Sequence, residues 1–165
     1  MYRIKDLVPG RILLCLYYSL IYPYLIYCNP IWSNTYAVHT EQLKILQKRA
    51  IRILSNSDYL AHTNPLFFRN RVLKLDDISL YCTCIYVFRN FDVDSSHVTH
   101  THNTRSSHNL RPNFRRLDSS RRSLDFVGPR CWNNLPANLQ NINNPHSFKT
   151  NLKDYLISTY NSDLK

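Results

Sequence analysis

Arginines and lysines dominate the residues of this chain that could do chemistry. Arg105, Arg111, Arg115, Arg116, Arg121, Arg122 and Arg130 are interleaved with Phe114, Phe126 and Trp132. Guanidinium forks match phosphate oxygens, and aromatic rings offer stacking platforms for bases, so the pattern suits a nucleic-acid backbone. The plainer reading is a solvated loop whose aromatics belong to the core. A second basic set, Lys44, Lys48, Arg49 and Arg52, lies in TEQLKILQKRAIRIL, residues 40–54. In that stretch Leu43, Leu46, Ala50, Ile53 and Leu54 recur at three- and four-residue steps, which predicts a helix with an apolar stripe and a positive outer face. Thr40 is the expected N-cap, with Glu41 in the first turn where the helix dipole favours an acid. A solvated charged face is the plainer alternative here too.

Catalytic and metal-binding patterns are weaker. Asp76–Asp77 is the one paired carboxylate. A two-magnesium site would need a third acid and a hairpin to present the pair. Here the pair precedes a strongly helical run, so Asp77 is expected to cap that helix. His97, His100, His102 and His108 cluster loosely without the cysteine partners or fixed spacing of a zinc site. Cys82 and Cys84 stand two apart on a helix and point to different sides. No metal site, cofactor or catalytic constellation is expected.

The elements that must position these residues read as mainly α. Ile12–Cys28 is 17 residues without a charge. It falls short of the ~20 apolar residues of a membrane span, and it contains five tyrosines and Pro23. It is expected to be a helix buried on most of its surface and kinked near Pro23, ended by Asn29–Pro30, with Trp32 opening a linker. Membrane association through residues 12–28 is the alternative. Asn64–Pro65 should start a short helix, LFFRNRVL. Ile78 to about Phe91 should form a central helix, apolar nearly all round. Residues 92–113 read as a flexible polar linker. Phe114–Leu117 and Ser123–Val127 are candidate strands of a small hairpin. Gly128–Pro129 then punctuates, and CWNNLP reads as a tight packed turn or a one-turn helix. Asn144–Pro145 caps a last helix to Tyr160, with Phe148, Leu152, Tyr155, Leu156 and Thr159 facing inward. The expected organisation is a helical region 1–91, the linker 92–113 and a tail region 114–165.

Composition bounds the partners. The net charge is +10 over 165 residues. It divides into +4 over 1–96, +5 over 97–130 and +1 over 131–165. A polyanionic partner fits this balance, as does simple solubility. With only Gly10 and Gly128, no glycine-rich phosphate loop exists. Five scattered cysteines read as buried reduced thiols, and no Asn-x-Ser/Thr sequon occurs. An intracellular protein, nuclear or cytoplasmic, is expected.

Several stretches together resemble one family. LYYSLIYPYLIYCNPIWS followed by LKILQKRAIRIL resembles the segment just after the polymerase active site, which forms the thumb, in non-LTR retrotransposon reverse transcriptases of the jockey and CR1 type, and PLFFRNRVLKLDDISLY resembles the next helical piece. NTRSSHNLRPN, GPRCWNNLPANL and SFKTNLKDYL are similar to that family's C-terminal tail, with its Thr-Arg, Trp-Asn-x-Leu-Pro and Phe-Lys-x-x-Leu-Lys elements. The resemblance runs from about Gly10 to Tyr160. It implies an irregular, thumb-like helical bundle that grips the phosphate backbone of an RNA or DNA duplex without catalysing. On this chain Lys44, Lys48, Arg49 and Arg52 would make the first contact and the later arginines a second. The family's catalytic Tyr/Phe-Ala-Asp-Asp motif and palm have no counterpart in these residues, so the resemblance also implies a missing palm domain as partner. An inert retroelement remnant is the other outcome it allows.

Overall fold

The computed structural model describes residues 2–90, 109–112 and 115–162. The histidine cluster at 97–108, Arg105, Phe114 and most of the expected linker lie outside the described residues. The fold is mainly α, an irregular helical bundle. Its helices are α1 (Gly10–Leu16), α2 (Tyr22–Ile26), α3 (Asn29–Trp32), α4 (Ala37–Leu54), α5 (Thr63–Arg69), α6 (Leu75–Asn90), α7 (Asp118–Arg121), α8 (Leu124–Asn133), α9 (Ala137–Gln140) and α10 (Pro145–Ser162). As its all-round apolar pattern predicts, α6 is central and packs against α2, α3, α4, α8 and α10.

The uncharged run kinks where expected. A π turn, Tyr17–Ile21, joins α1 to α2 immediately before Pro23. A proline ring clashes with the carbonyl four residues back in a regular α-helix, and the wider turn relieves this. The expected burial is overturned. Leu13, Tyr17 and Leu25 are buried, but Leu20, Tyr24 and Tyr27 face out, Tyr24 at 80% exposure. Asn29–Pro30 does not end this run. It opens α3, held by Asn29 Nδ2 donating to Leu25 O at 2.8 Å and Trp32 Nε1 donating to Tyr27 O at 2.7 Å.

Helix α4 begins three residues earlier than Thr40, with Tyr36 at the N-cap, and Thr40 Oγ1 donates to Ala37 O inside the first turn. Its buried face is also turned relative to expectation: Thr40, Gln47, Ala50, Ile51 and Leu54 point in, while Leu46 is 57% exposed. Gln47 supplies the reason. Its Nε2 donates to Tyr17 Oη at 3.0 Å and to Leu73 O at 2.9 Å, and its Oε1 accepts from Leu75 N–H at 2.9 Å. A buried amide with three partners fixes the helix's rotation more firmly than one exposed leucine can oppose.

The same amide explains a second correction. Asp77 is not the cap of α6. The helix begins at Leu75, so Asp76 and Asp77 lie inside its first turn, and its first N–H, that of Leu75, donates to Gln47 Oε1. Asp76 instead pairs with Lys44 at 2.9 Å, and Asp77 accepts from the Tyr160 hydroxyl at the far end of α10. Tyr160 Oη in turn accepts from Lys74 N–H at 3.1 Å. Burial raises the Asp77 carboxyl above its ordinary value, against the lowering effect of the Tyr160 hydrogen bond and Lys74. An acid with a raised folded-state pKa stabilises the fold most at low pH and loses that contribution as pH rises through the folded value. In Asp77→Asn, whose amide oxygen still accepts from Tyr160, stability relative to the parent should therefore improve from about pH 4 to pH 7, the window opening near the ordinary Asp value. Urea melts at both pH values check this; a relative loss on going to pH 7 would reverse the sign.

Helix α5 starts at Thr63 rather than after Asn64, and it stops at Arg69. Val72 N–H bonds Phe67 O at 3.0 Å and Arg71 N–H bonds Phe68 O at 3.1 Å, with Arg71 at φ 52°. This is the paired closure of a Schellman end, with Val72 and Phe67 buried against each other's turn.

No strand occurs among the described residues, and the expected hairpin is replaced by α7 and α8. Leu124, Phe126 and Val127 are β-favouring types in a window too short to show period. Gly128, Pro129 and Trp132, buried at three- and four-residue steps, are the helical signal. Gly128–Pro129 thus sits inside α8, not at a break, and Cys131–Asn133 completes the same helix. A Cβ at Gly128 would lie 2.9 Å from Val87 Cγ2, so its absence lets α8 approach α6. Asn133 exchanges two hydrogen bonds with the Leu110 backbone, at 2.9 and 2.8 Å, tying that segment to α8. The cap of α10 is as expected, with Asn144 Oδ1 accepting from His146 N–H at 2.8 Å. Phe148, Leu152 and Leu156 face inward, but Ile157 and Tyr160 are buried in place of Tyr155 and Thr159. All five cysteines are free thiols, but only Cys84 is buried; Cys15 and Cys28 are exposed, against expectation.

Candidate nucleic-acid interface

The end of α4 builds the most basic hollow beside the predicted residues. Helix α4 closes with a Schellman end: Ser57 N–H bonds Arg52 O at 3.0 Å, and Asn56 N–H bonds Ile53 O at 3.2 Å, with Asn56 at φ 46°. Asparagine tolerates that left-handed backbone. The turn directs Asp58–Tyr59 back beside the helix. Lys5, Arg49, Arg52, Ile53 and Tyr59 then line a groove of about 700 Å³. Arg52 is half-buried and anchored by Nε donating to Ala61 O at 2.9 Å, while Arg49 and Tyr59 are exposed. Asp58 is the acid in this lining, and its Oδ1 accepts from Tyr59 N–H at 2.8 Å. A helix C-terminus repels anions. Here two of its last carbonyls are bonded and two arginines stand on the last turns, so the local field favours an anion instead.

The structure sorts the predicted residues into distinct roles. Lys48, Arg49 and Arg116 are exposed. Lys44 is drawn to Asp76, and to Glu41 at 4.0 Å, and bridges α4 to α6. Arg115 pairs with Asp125 at 3.5 Å, and Arg121 Nε donates to Arg115 O at 3.1 Å. Arg122 pairs with Asp118 at 3.0 Å and stacks 3.6 Å over the Tyr36 ring. Arg111 is exposed on the segment tied to α8. Arg115, Arg121 and Arg122 therefore act as struts of the tail, and none of the described later arginines lines the α4 groove. Lys5 and Tyr59 were missed. Tyr59 could have been read as an exposed aromatic just after a turn; Lys5 carries no signal in the sequence.

Among the described residues no three His, Cys, Asp or Glu side chains gather as metal ligands. Burial pushes the Cys82 thiol up to about 11 and Cys84 higher still, so neither is a poised nucleophile. The arrangement can hold phosphate and stack an aromatic ring. Comparisons with family models, with curated proteins and with solved structures return no match to this chain.

Proposed function

We propose that this chain is a non-catalytic, sequence-independent binder of the nucleic-acid backbone, equivalent to the thumb and tail of a jockey-like retrotransposon reverse transcriptase. The observation that carries the reading is the α4 groove, where Lys5, Arg49 and Arg52 converge beside an exposed Tyr59. Lys48 extends the positive surface along α4. Its partners are the phosphates of an RNA or DNA duplex and, in the parent polymerase, the palm. The palm would cover the exposed apolar surface contributed by Leu20, Tyr24, Tyr27 and Ile31 around α2 and α3. That face equally suits the remnant reading, in which it stays uncovered. Among the described residues no helix is long and apolar enough to cross a membrane.

Duplex binding followed by fluorescence anisotropy tests the proposal. With three phosphate contacts, log affinity should fall against log salt with a slope of about −2.7. Arg49→Glu should weaken binding on all sequences alike and reduce the slope by about one. Salt-insensitive binding, or no binding at low salt, overturns the reading.

A further inference from the structure

A second basic surface, sharing no residue with the α4 groove, lies where α10 packs on α6. Arg71, Lys149 and Lys153 line a hollow of about 420 Å³ there, together with Tyr81. Tyr81 and Lys149 also line an adjoining hollow of about 480 Å³, with Tyr22 and Arg89. The two open hollows adjoin at these two side chains, and together they are called the α6–α10 channel. His146, Lys149, Thr150 and Lys153 stand at i, i+3, i+4 and i+7, so one face of α10 supplies its wall. The acid in these linings is Asp154, and Arg71 already holds it.

Two features separate this channel from an ordinary solvated face. Lys153 is half-buried beside another cation; burial first, then the Arg71 guanidinium, hold its ammonium below the ordinary value, and Asp154 only partly compensates. Arg71 itself sits in left-handed backbone, where glycine or asparagine is easier, and the Tyr18 hydroxyl donates to its carbonyl at 3.2 Å. A bound anion would relieve the crowded cation pair, while the left-handed turn at the end of α5 fixes where the Arg71 side chain departs. Aromatics are interleaved in the same place: Lys153 lies 5.5 Å from the Tyr18 ring, and Tyr22 and Tyr81 border the channel.

We propose that the α6–α10 channel binds an unpaired nucleic-acid strand, seating a phosphodiester among Arg71, Lys149 and Lys153 and stacking the adjacent base on Tyr81. Unpaired bases can reach such a platform and paired ones cannot, so this site selects single strands whereas the α4 groove meets the duplex backbone.

The test uses the full chain, fluorescein-labelled oligothymidine and a labelled duplex of random sequence. Lys149→Glu/Lys153→Glu should lower single-strand affinity about tenfold or more at low salt, since both phosphate-facing charges reverse. Tyr81→Leu, which keeps the apolar contact with the core, should lower it about fivefold. Duplex affinity should change less than twofold in both, and Arg49→Glu should show the opposite pattern. Lys149→Gln/Lys153→Gln, verified as folded by its melt, guards against a charge-reversal variant that fails to fold and should lose single-strand affinity in the same direction. Single-strand affinity within twofold of the parent in the glutamine variant, or a parent chain that binds duplex but no single strand, overturns the proposal and leaves the α4 reading intact. Loss of duplex binding alone in Arg49→Glu bears only on that reading.

Discussion

Phe148→Ala should cost about 3–5 kcal/mol, as large-to-small changes at fully buried aromatic positions do. Phe148 is wholly buried on the first turns of α10. Its ring stacks on Phe88 of α6, with centroids 4.5 Å apart and planes 11° apart, and it meets Trp132 of α8 at 5.6 Å. Phe88 and Trp132 also touch, at 6.2 Å, so the three rings close a triangle joining the three helices. Removing one ring leaves a cavity that two stiff aromatics cannot refill. A domain of this size has about 5–15 kcal/mol in all, so the variant should be marginal at room temperature. Urea unfolding followed by circular dichroism, with the emission of Trp132 as a local reporter, measures the loss. Trp132→Ala together with Phe148→Ala should lose less than the two single losses added, by about 0.5–1.5 kcal/mol, because the pair interaction is removed only once. A loss below 1 kcal/mol for Phe148→Ala would mean that α10 is not docked on α6 by this triangle.

Phe148 belongs to the part of the fold that could be read from sequence. Its helix has a proline at the first position, an asparagine cap and an apolar repeat long enough to show its period. The central α6 was legible for the same reason. The failures share a different cause: a distant residue supplied what local pattern was asked to supply. Asp77 looked like a cap because asparagine and aspartate cap helices, but α6 begins two residues earlier, at Leu75, whose N–H is held from α4. Leu46 looked like a core residue because leucines are, but the helix had been turned by a glutamine. The short β-favouring run before Gly128 gave no hint that Val87 of another helix would need a neighbour without a Cβ.

The basic residues divide in the same way. Nothing local distinguishes Lys44, paired with an aspartate from α6, from Lys48, which faces water. The charge summed by segment is highest over 97–130, while the tail from 131 to 165 carries only +1. Yet Lys149 and Lys153 come together with Arg71, a residue from the other half of the chain. Electrostatic surfaces are properties of the folded arrangement, and a one-dimensional sum shows them only when the cluster is also contiguous in sequence.

Gln47 gives the sharpest test of that account, because the two obvious substitutions should rank against intuition. Its side chain is buried, 4% exposed, and its three partners are themselves buried or at a helix start. Gln47→Leu conserves volume and adds apolar contact of roughly 1–2 kcal/mol. It also strands the Tyr17 hydroxyl, the Leu73 carbonyl and the Leu75 N–H, each at a cost of about 1–3 kcal/mol. The net loss should be about 1–8 kcal/mol, centred near 4. Gln47→Ala removes more atoms, but it opens a polar space in which a water molecule can bond the same three groups. Alanine should therefore be less destabilising than leucine, the reverse of the order at Phe148, where the lining is apolar and stays dry. Tyr17 reports on the difference independently. Burial pushes its phenol up to about 12 even though the Gln47 hydrogen bond lowers it, so its ionisation should move further up in the leucine variant. Denaturant melts of both variants, with ultraviolet titration of the tyrosines, read the two effects. A leucine variant more stable than alanine would show that apolar volume, rather than the amide, sets the rotation of α4, and with it the position of Arg49 and Arg52 at the groove.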